Sequence, residues 1–516
     1  MRISRGILWA GAAGLALGGV AHAADLPTTK PAPAPPPATS CFASFYSWLN
    51  SSAADCPLSY MGVTLYGQID IGGGYESAAS RLNSSYPQGV QEVVNKTNNG
   101  GRWQLVPNGL SQSNAGIKIR EEIIPGWAIV GDVNAGFDPY TLQFANGPQS
   151  LVNNNFNTLG NQTSNADSSR STGWDNSRGY VGVSNSTFGT LTFGRQYSLT
   201  NDASAAYDPF GGAYAFSLIG NSSTVLNGTG DTELARYNES FKYQVAYNGF
   251  RAGALAQVGG YEQGNGSNGA YQFDLGADYA GFSIDGYYSY AKDAVKLGTY
   301  GGSAIPGGDP TDTLQATLSD INAGVVAAKY KWNALTVYGG YEYAQLSNPS
   351  DTYGATATAN GAFLNSLNGG YPGVVQKLAY VTPEDLQVLW VGAKYGIRSD
   401  LDVAAGYYYE WQNNFTNAAT SYNIGNGAGG AGTKTATKVG CGPNLNPAIT
   451  GASPQGSNNS ACAGHTEVLS GMIDWRPVKR VDLYAGVMFS QVQGGMANGF
   501  IQNTNVATTA GVRVSF

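Results

Sequence analysis

From Met61 onward, apolar and polar residues alternate with a period of two, the pattern of strands whose two faces meet different surroundings. Over Gly62–Ile71, Val63, Leu65, Ile69 and Ile71 fall on one face, and Thr64, Tyr66, Gln68 and Asp70 on the other. The alternation recurs over Gln272–Tyr279, Asp400–Tyr407 and Arg480–Val487. Sixteen such segments are predicted, at roughly 62–75, 113–121, 126–137, 178–186, 189–200, 236–247, 250–262, 269–280, 281–294, 318–332, 335–346, 386–397, 400–414, 465–478, 480–493 and 505–516. Most run to about ten residues, enough for a tilted strand to cross a bilayer. Helical periodicity is visible only near Phe42–Asn50.

The connections separate a membrane barrel from a soluble sandwich. Long ones (76–112, 138–177, 201–235, 295–317, 347–385 and 415–464) alternate with tight turns at Ile124-Pro-Gly, Thr187-Phe-Gly, Tyr247-Asn-Gly, Ala280-Gly, Asn333-Ala, Arg398-Ser-Asp and Pro477-Val-Lys. An even strand number, with short turns at one end and long loops at the other, predicts a 16-stranded antiparallel transmembrane β-barrel, its turns periplasmic and its loops extracellular. Closure pairs every backbone N–H and C=O, as hydrocarbon requires. Apolar residues then face lipid, and polar residues line a water-filled lumen. Trp127, Trp332 and Trp475 each lie close to a tight turn, where an interfacial aromatic girdle belongs.

Residues 1–23 read as a secretory signal peptide: Arg2 and Arg5, an apolar run from Gly6 to Val20, then Ala21-His22-Ala23 as cleavage pattern. Residues 24–60 form a proline-rich N-terminal arm expected to lie in the periplasm, and 61–516 form the barrel. Dense proline over 26–38 favours an extended spacer. Export permits disulfides among Cys41, Cys56, Cys441 and Cys462, for which three connectivities exist.

Composition narrows the chemistry. Only 12% of residues are charged, while the chain holds 72 Gly and 33 Tyr. Loss of the leader removes two arginines and no acid, taking the formal charge from −7 to −9. A mildly acidic chain without a basic cluster excludes a nucleic-acid partner. Of two histidines, His22 lies in the leader, so His465 alone remains and a multi-histidine metal site cannot be built. His465 has no nucleophile motif beside it, and neither a cofactor nor an enzymatic activity is expected. Three rivals are weighed: an outer-membrane enzyme, a substrate-selective channel whose loops 138–177 and 415–464 narrow the entrance, and a plugged structural or adhesive barrel.

Several segments resemble the general Gram-negative porins, trimeric diffusion channels of the outer membrane. Tyr66-Gly-Gln-Ile-Asp70 is similar to the family's first strand. Arg178–Val183 and Phe188–Tyr197 are similar to its fourth and fifth, Arg236–Tyr243 to its sixth and Gly511–Phe516 to its last. Asp208-Pro-Phe-Gly-Gly212 resembles the third loop, which in the family folds into the lumen. The resemblance implies passive diffusion of small hydrophilic solutes and ions through a homotrimer, with loop carboxylates facing wall cations. By position, the wall cations are Arg195 and Arg236, joined by Lys242 and Lys118; the loop carboxylates are Asp208 and, less directly, Asp202. Strict alternation sets Arg195 beside Leu191 and Phe193 on the lipid face; a bulge at Gly194 would turn it inward, as the resemblance favours. Asn114 stands where the family has a basic residue. Phe516, the terminal aromatic, is the implied signal for the outer-membrane assembly machinery; outer-membrane lipid is the other expected partner.

Overall fold

The computed structural model describes residues 41–78, 100–137, 139–140, 142, 176–220, 236–258, 269–292, 296–297, 316–317, 320–348, 380–417, 420–424, 432–436, 461–497 and 502–516. The leader, the proline run, Cys441 and most of the long connections lie outside these residues. Alternating faces produce sixteen long strands, as the sequence pattern requires. They are β1 Val63–Glu76, β2 Asn114–Ile124, β3 Trp127–Gly136, β4 Asn176–Asn185, β5 Gly189–Tyr197, β6 Arg236–Tyr247, β7 Phe250–Gln257 and β8 Ala270–Tyr279. The second half comprises β9 Phe282–Ala291, β10 Asp320–Trp332, β11 Leu335–Ser347, β12 Glu384–Arg398, β13 Leu401–Gln412, β14 Gly464–Val478, β15 Val481–Gly494 and β16 Thr504–Ser515.

Each strand pairs antiparallel with its sequence neighbour, and β16 returns to β1, from Gln68↔Ser515 to Glu76↔Ala507. No edge is left in the ring. The tight turns gather at one end. Asn248-Gly249 takes φ of +49° and +82°, and Ala280-Gly281 +48° and +83°, the left-handed pair that a two-residue hairpin needs to match strand twist. No helix among the described residues is long and apolar enough to cross a membrane; the crossing is made by strands.

Val63, Leu65, Ile69 and Ile71 are exposed on the outside of β1, whereas Asp70 is buried on the inside. Trp127, Trp332 and Trp475 are exposed beside the tight turns, with Tyr247, Phe250, Tyr279 and Tyr395 near the same level. The aromatic girdle is therefore present on the surface. Phe516 continues β16: its N–H donates to Gly67 O and its carbonyl accepts from Gly67 N–H, at 2.9 and 3.1 Å. Its ring lies where a Cβ on Gly67 would be, on the same outward face as Leu65 and Ile69.

The segment before the barrel is docked rather than loose from Cys41 onward. Cys41 and Cys56 form a disulfide around the short helix α1, Phe45–Leu49, whose Ser44 cap accepts from Ser47 N–H. Cys462 is also disulfide-bonded. Arg480, in the β14–β15 turn, donates to the carbonyls of Trp48, Ser52 and Cys56 and lies over the Trp48 ring at 4.3 Å. A short strand, Leu58–Tyr60, then pairs with Val63–Leu65 of β1, in the lane that β16 vacates when it ends.

The interior is only partly wet. Residues 199–220 of the third long connection pack against the inner wall, so part of the lumen holds an apolar core beside the water-filled space that the alternation predicts. Phe216, Leu218 and Ile219 are fully buried with Tyr207, Phe210, Val388, Trp390, Tyr408, Met472 and Met488. Burying side chains of this size contributes on the order of 2 kcal/mol each, which offsets the entropy of ordering the loop.

Candidate functional site: a constriction formed by the third connection

The third connection leaves β5 through α2, Leu199–Tyr207, capped by the Ser198 hydroxyl accepting from Asn201 N–H at 3.0 Å. Its path can be followed by the wall groups that hold it. Gln272 on β8 accepts from Leu199 N–H at 2.7 Å, and Lys329 on β10 donates to Ala206 O at 3.0 Å. Trp390 on β12 donates to Tyr207 O at 3.0 Å, and Tyr408 on β13 donates to the Asp208 carboxylate. Phe216 then meets Tyr484 of β15 edge-on at 6.2 Å, and Ala215 N–H donates to Gly109 O at 2.9 Å. The segment thus crosses from the β8 side of the barrel to the first long connection beside β1. Wall glycines make room for it: a Cβ on Gly392 would come 2.5 Å from Pro209, and one on Gly486 would come 2.6 Å from Phe216.

Between this segment and the wall lies a cavity of about 320 Å³. Arg236, Lys394, Arg513 and Asp474 supply its charge, Tyr197 an aromatic face, and Phe210-Gly211-Gly212 and Tyr214 the loop side. Three cations against one carboxylate give it a positive balance. Neighbouring acids tie the cations down. Arg513 donates to Asp482 at 2.9 Å and to Ser111 at 3.0 Å, and Lys394 lies 3.7 Å from Asp402. Arg476 bridges Asp402 and Asp474 at 2.9 and 2.8 Å. Asp70 accepts from Leu110 and Ser111 N–H and from Tyr484 O–H, fixing residues 108–113 against the wall.

The expected site residues divide. Arg236 lines the cavity, its guanidinium 4.9 Å from the Tyr197 ring. Lys118 is exposed on the inner wall, its Nζ 4.2 Å from the Tyr66 ring. Lys242 donates to Asp202 at 2.6 Å and to Tyr197 O at 3.1 Å, making the contact between loop carboxylate and wall cation. Asp208, expected in that role, is not among the residues lining the cavity. It is buried; one carboxylate oxygen accepts from Tyr408 and the other from Phe210 and Gly212 N–H at 3.0 and 2.9 Å. Burial pushes its carboxyl up to about 6, against the lowering effect of those donors. Asp208 is the pin of the loop turn.

Arg195, half-buried, follows Gly194, whose φ is +131°. It pairs with Gly179, which shares a face with the outward-exposed Val181 and Val183, and it is not among the cavity residues. An irregularity does occur between Gly194 and Gln196, but the extra residue falls in β6 near Glu239, at φ +49°. The alternation of β5 is nevertheless reset in this stretch: Phe193 is exposed on the outer face whereas Tyr197, four residues on, lines the cavity, so β5 does not keep strict alternation across Arg195.

Arg178, Lys394 and Arg513 stand outside the expected set, although their parity is readable in the sequence. Lys394 alternates with Tyr395, and Arg513 with Val512 and Val514, all apolar neighbours on the opposite face.

Comparison with known proteins gives the family. A family model described as Gram-negative porin matches residues 10–495. No curated protein matches. Among solved structures, the loop L8 deletion mutant of OmpT, an outer membrane protein of Vibrio cholerae, is similar at a TM-score of 0.50 and 14% identity, covering 88% of this chain and 99% of that one. An anion-selective porin from Comamonas acidovorans is similar at 0.49 and 13%, covering 88% and 99%. Salmonella typhi OmpF is similar at 0.45 and 14%, covering 88% and 97%. The chain belongs to the Gram-negative porin family and forms a channel of the outer membrane.

Proposed function

We propose that the barrel passes small hydrophilic solutes and ions by diffusion, with a preference for anions set at the third-connection constriction. The observation that carries the preference is the cavity lining, where Arg236, Lys394 and Arg513 outnumber the one lining carboxylate, Asp474, with Asp402 and Asp482 beside Lys394 and Arg513. Fixed charges in a narrow passage filter ions without bond making or breaking, so no catalytic role is assigned to any residue. The overall acidic charge does not oppose this, because selectivity follows the groups at the narrowest point.

Assembly as a homotrimer follows the family. The distribution of outward side chains supports it: on β1 to β4 the exposed positions are mainly aliphatic, such as Leu65, Ile69, Ile117, Ile119 and Val181. Tyrosine and tryptophan concentrate on β6 to β14. Girdle aromatics favour lipid–water interfaces, so an aliphatic sector suits contact between subunits. Phe516, with its ring on the outer face, remains the proposed recognition element for the assembly machinery.

Reversal potentials across planar bilayers in a salt gradient test the preference. Wild-type protein is expected to pass chloride more readily than potassium, and Arg236→Ala to shift the ratio toward potassium. A cation preference in the wild type would refute the assignment.

A further inference from the structure

The inner wall of β1 to β6 carries an arrangement that the constriction alone does not require. Three cations alternate with two aromatic rings across five strands. Lys118 of β2 lies over the Tyr66 ring of β1 at 4.2 Å. Arg178 of β4 lies 6.0 Å from that same ring centroid and donates to the Tyr66 hydroxyl at 2.8 Å. Arg178 also lies 4.8 Å from the Tyr197 ring of β5, and Arg236 of β6 lies 4.9 Å from it. The order is Lys118, Tyr66, Arg178, Tyr197, Arg236, and the last two line the cavity.

Each ring is shared by two cations. The electron-rich face of a phenol attracts a guanidinium or ammonium, and a ring between two such groups holds them apart while lowering their mutual repulsion. Long basic side chains otherwise fold onto the nearest carboxylate, which cancels their field. A carboxylate is at hand: Asp132, buried on β3, lies 3.4 Å from Arg178. The Tyr66 hydroxyl donates to Asp132 at 2.6 Å, so the tyrosine takes part of that acid's hydrogen-bonding capacity as well as holding the arginine. Backbone geometry reserves the place for the ring. Gly116 lies beside Tyr66 in the register, and a Cβ there would come 2.8 Å from the Tyr66 ring and from Asn134 Nδ2.

We propose that Tyr66 and Tyr197 are specificity-determining positioning residues, which space Lys118, Arg178 and Arg236 into a cationic ladder along which small anions, chloride and short carboxylates, move to and from the constriction. This rests on the barrel being an open channel. The tyrosines carry no charge, so their effect separates from that of the cations themselves.

The test uses purified, folded trimer or monomer, as isolated, in planar bilayers under a potassium chloride gradient. Tyr197→Leu removes the ring at unchanged formal charge and is expected to lower the chloride-to-potassium permeability ratio at least twofold. Tyr197→Phe keeps the ring and is expected to retain the wild-type ratio. Gly116→Ala displaces the Tyr66 ring without touching either tyrosine and is expected to lower the ratio in the same direction; it serves as the second arm if Tyr197→Leu does not fold. Wild-type current with an unchanged ratio in Tyr197→Leu, or in Gly116→Ala, would overturn the ladder and leave the channel intact. A Tyr197→Phe variant that behaves like Tyr197→Leu would also overturn it. Absence of wild-type current would overturn the channel reading itself.

Discussion

Two aspartates ten residues or fewer from the start of the third connection show how one side chain's surroundings decide its work. Asp202 lies on α2, partly exposed, and meets Lys242 across the gap to the wall. Asp208 follows the helix, is enclosed by the loop and β13, and is spent on holding backbone N–H groups. Its position in the sequence motif was legible; its orientation was not, because it depends on Tyr408, two hundred residues away. The raised carboxyl pKa makes a prediction with a definite sign. The docked loop binds the proton more tightly than the free carboxyl, whose ordinary value is 3.8, up to a value of about 6. Docking is thus strongest below pH about 4 and weakens as the pH rises through about 6. Amide protection over residues 206–212, taken relative to the intrinsic exchange rate at each pH, should fall across that interval in wild type and stay constant in Asp208→Asn. An equal pH dependence in both proteins would remove Asp208 as the cause.

At the level of elements, the strands were the most readable part of the chain, since a period of two with different solvents on either side leaves little freedom in register. All sixteen expected segments correspond to strands. The failures came where alternation is interrupted. β5 changes parity between Phe193, exposed outside, and Tyr197, which lines the cavity, around Gly194 at φ +131°. The segment 41–60 was legible as a short helix and a candidate disulfide, but its docking was not, because it depends on the distant Arg480. That segment closes the seam where β1 meets β16. A disulfide loop with a separation of 15 residues contributes roughly 3 kcal/mol by restricting the unfolded segment. The three carbonyls on Arg480 add charge-assisted hydrogen bonds. Arg480→Ala, or Cys41→Ser with Cys56→Ser, should raise hydrogen exchange over residues 41–60 by at least tenfold while single-channel conductance stays at the wild-type value. A large fall in conductance would show that the segment shapes the pore rather than the seam.

The whole molecule reconciles a low charge content with a charged function. Among the described residues, ion pairs gather on the inner wall: Arg178 with Asp132, Arg251 with Asp285, Arg476 with Asp402 and Asp474, Arg513 with Asp482. Outside, lipid asks for apolar residues, and the aliphatic sector over β1 to β4 is the surface proposed for subunit contact. Light scattering of detergent-solubilised protein should give the mass of three chains, and Ile117→Arg with Ile119→Arg should lower it toward one. A wild-type monomer would contradict the assembly. The most direct test of the central claim is single-channel recording of the purified, folded protein in a planar bilayer. Steady stepwise open current at constant voltage, with chloride passing more readily than potassium, is the predicted result; a sealed bilayer with no lasting open level would contradict it.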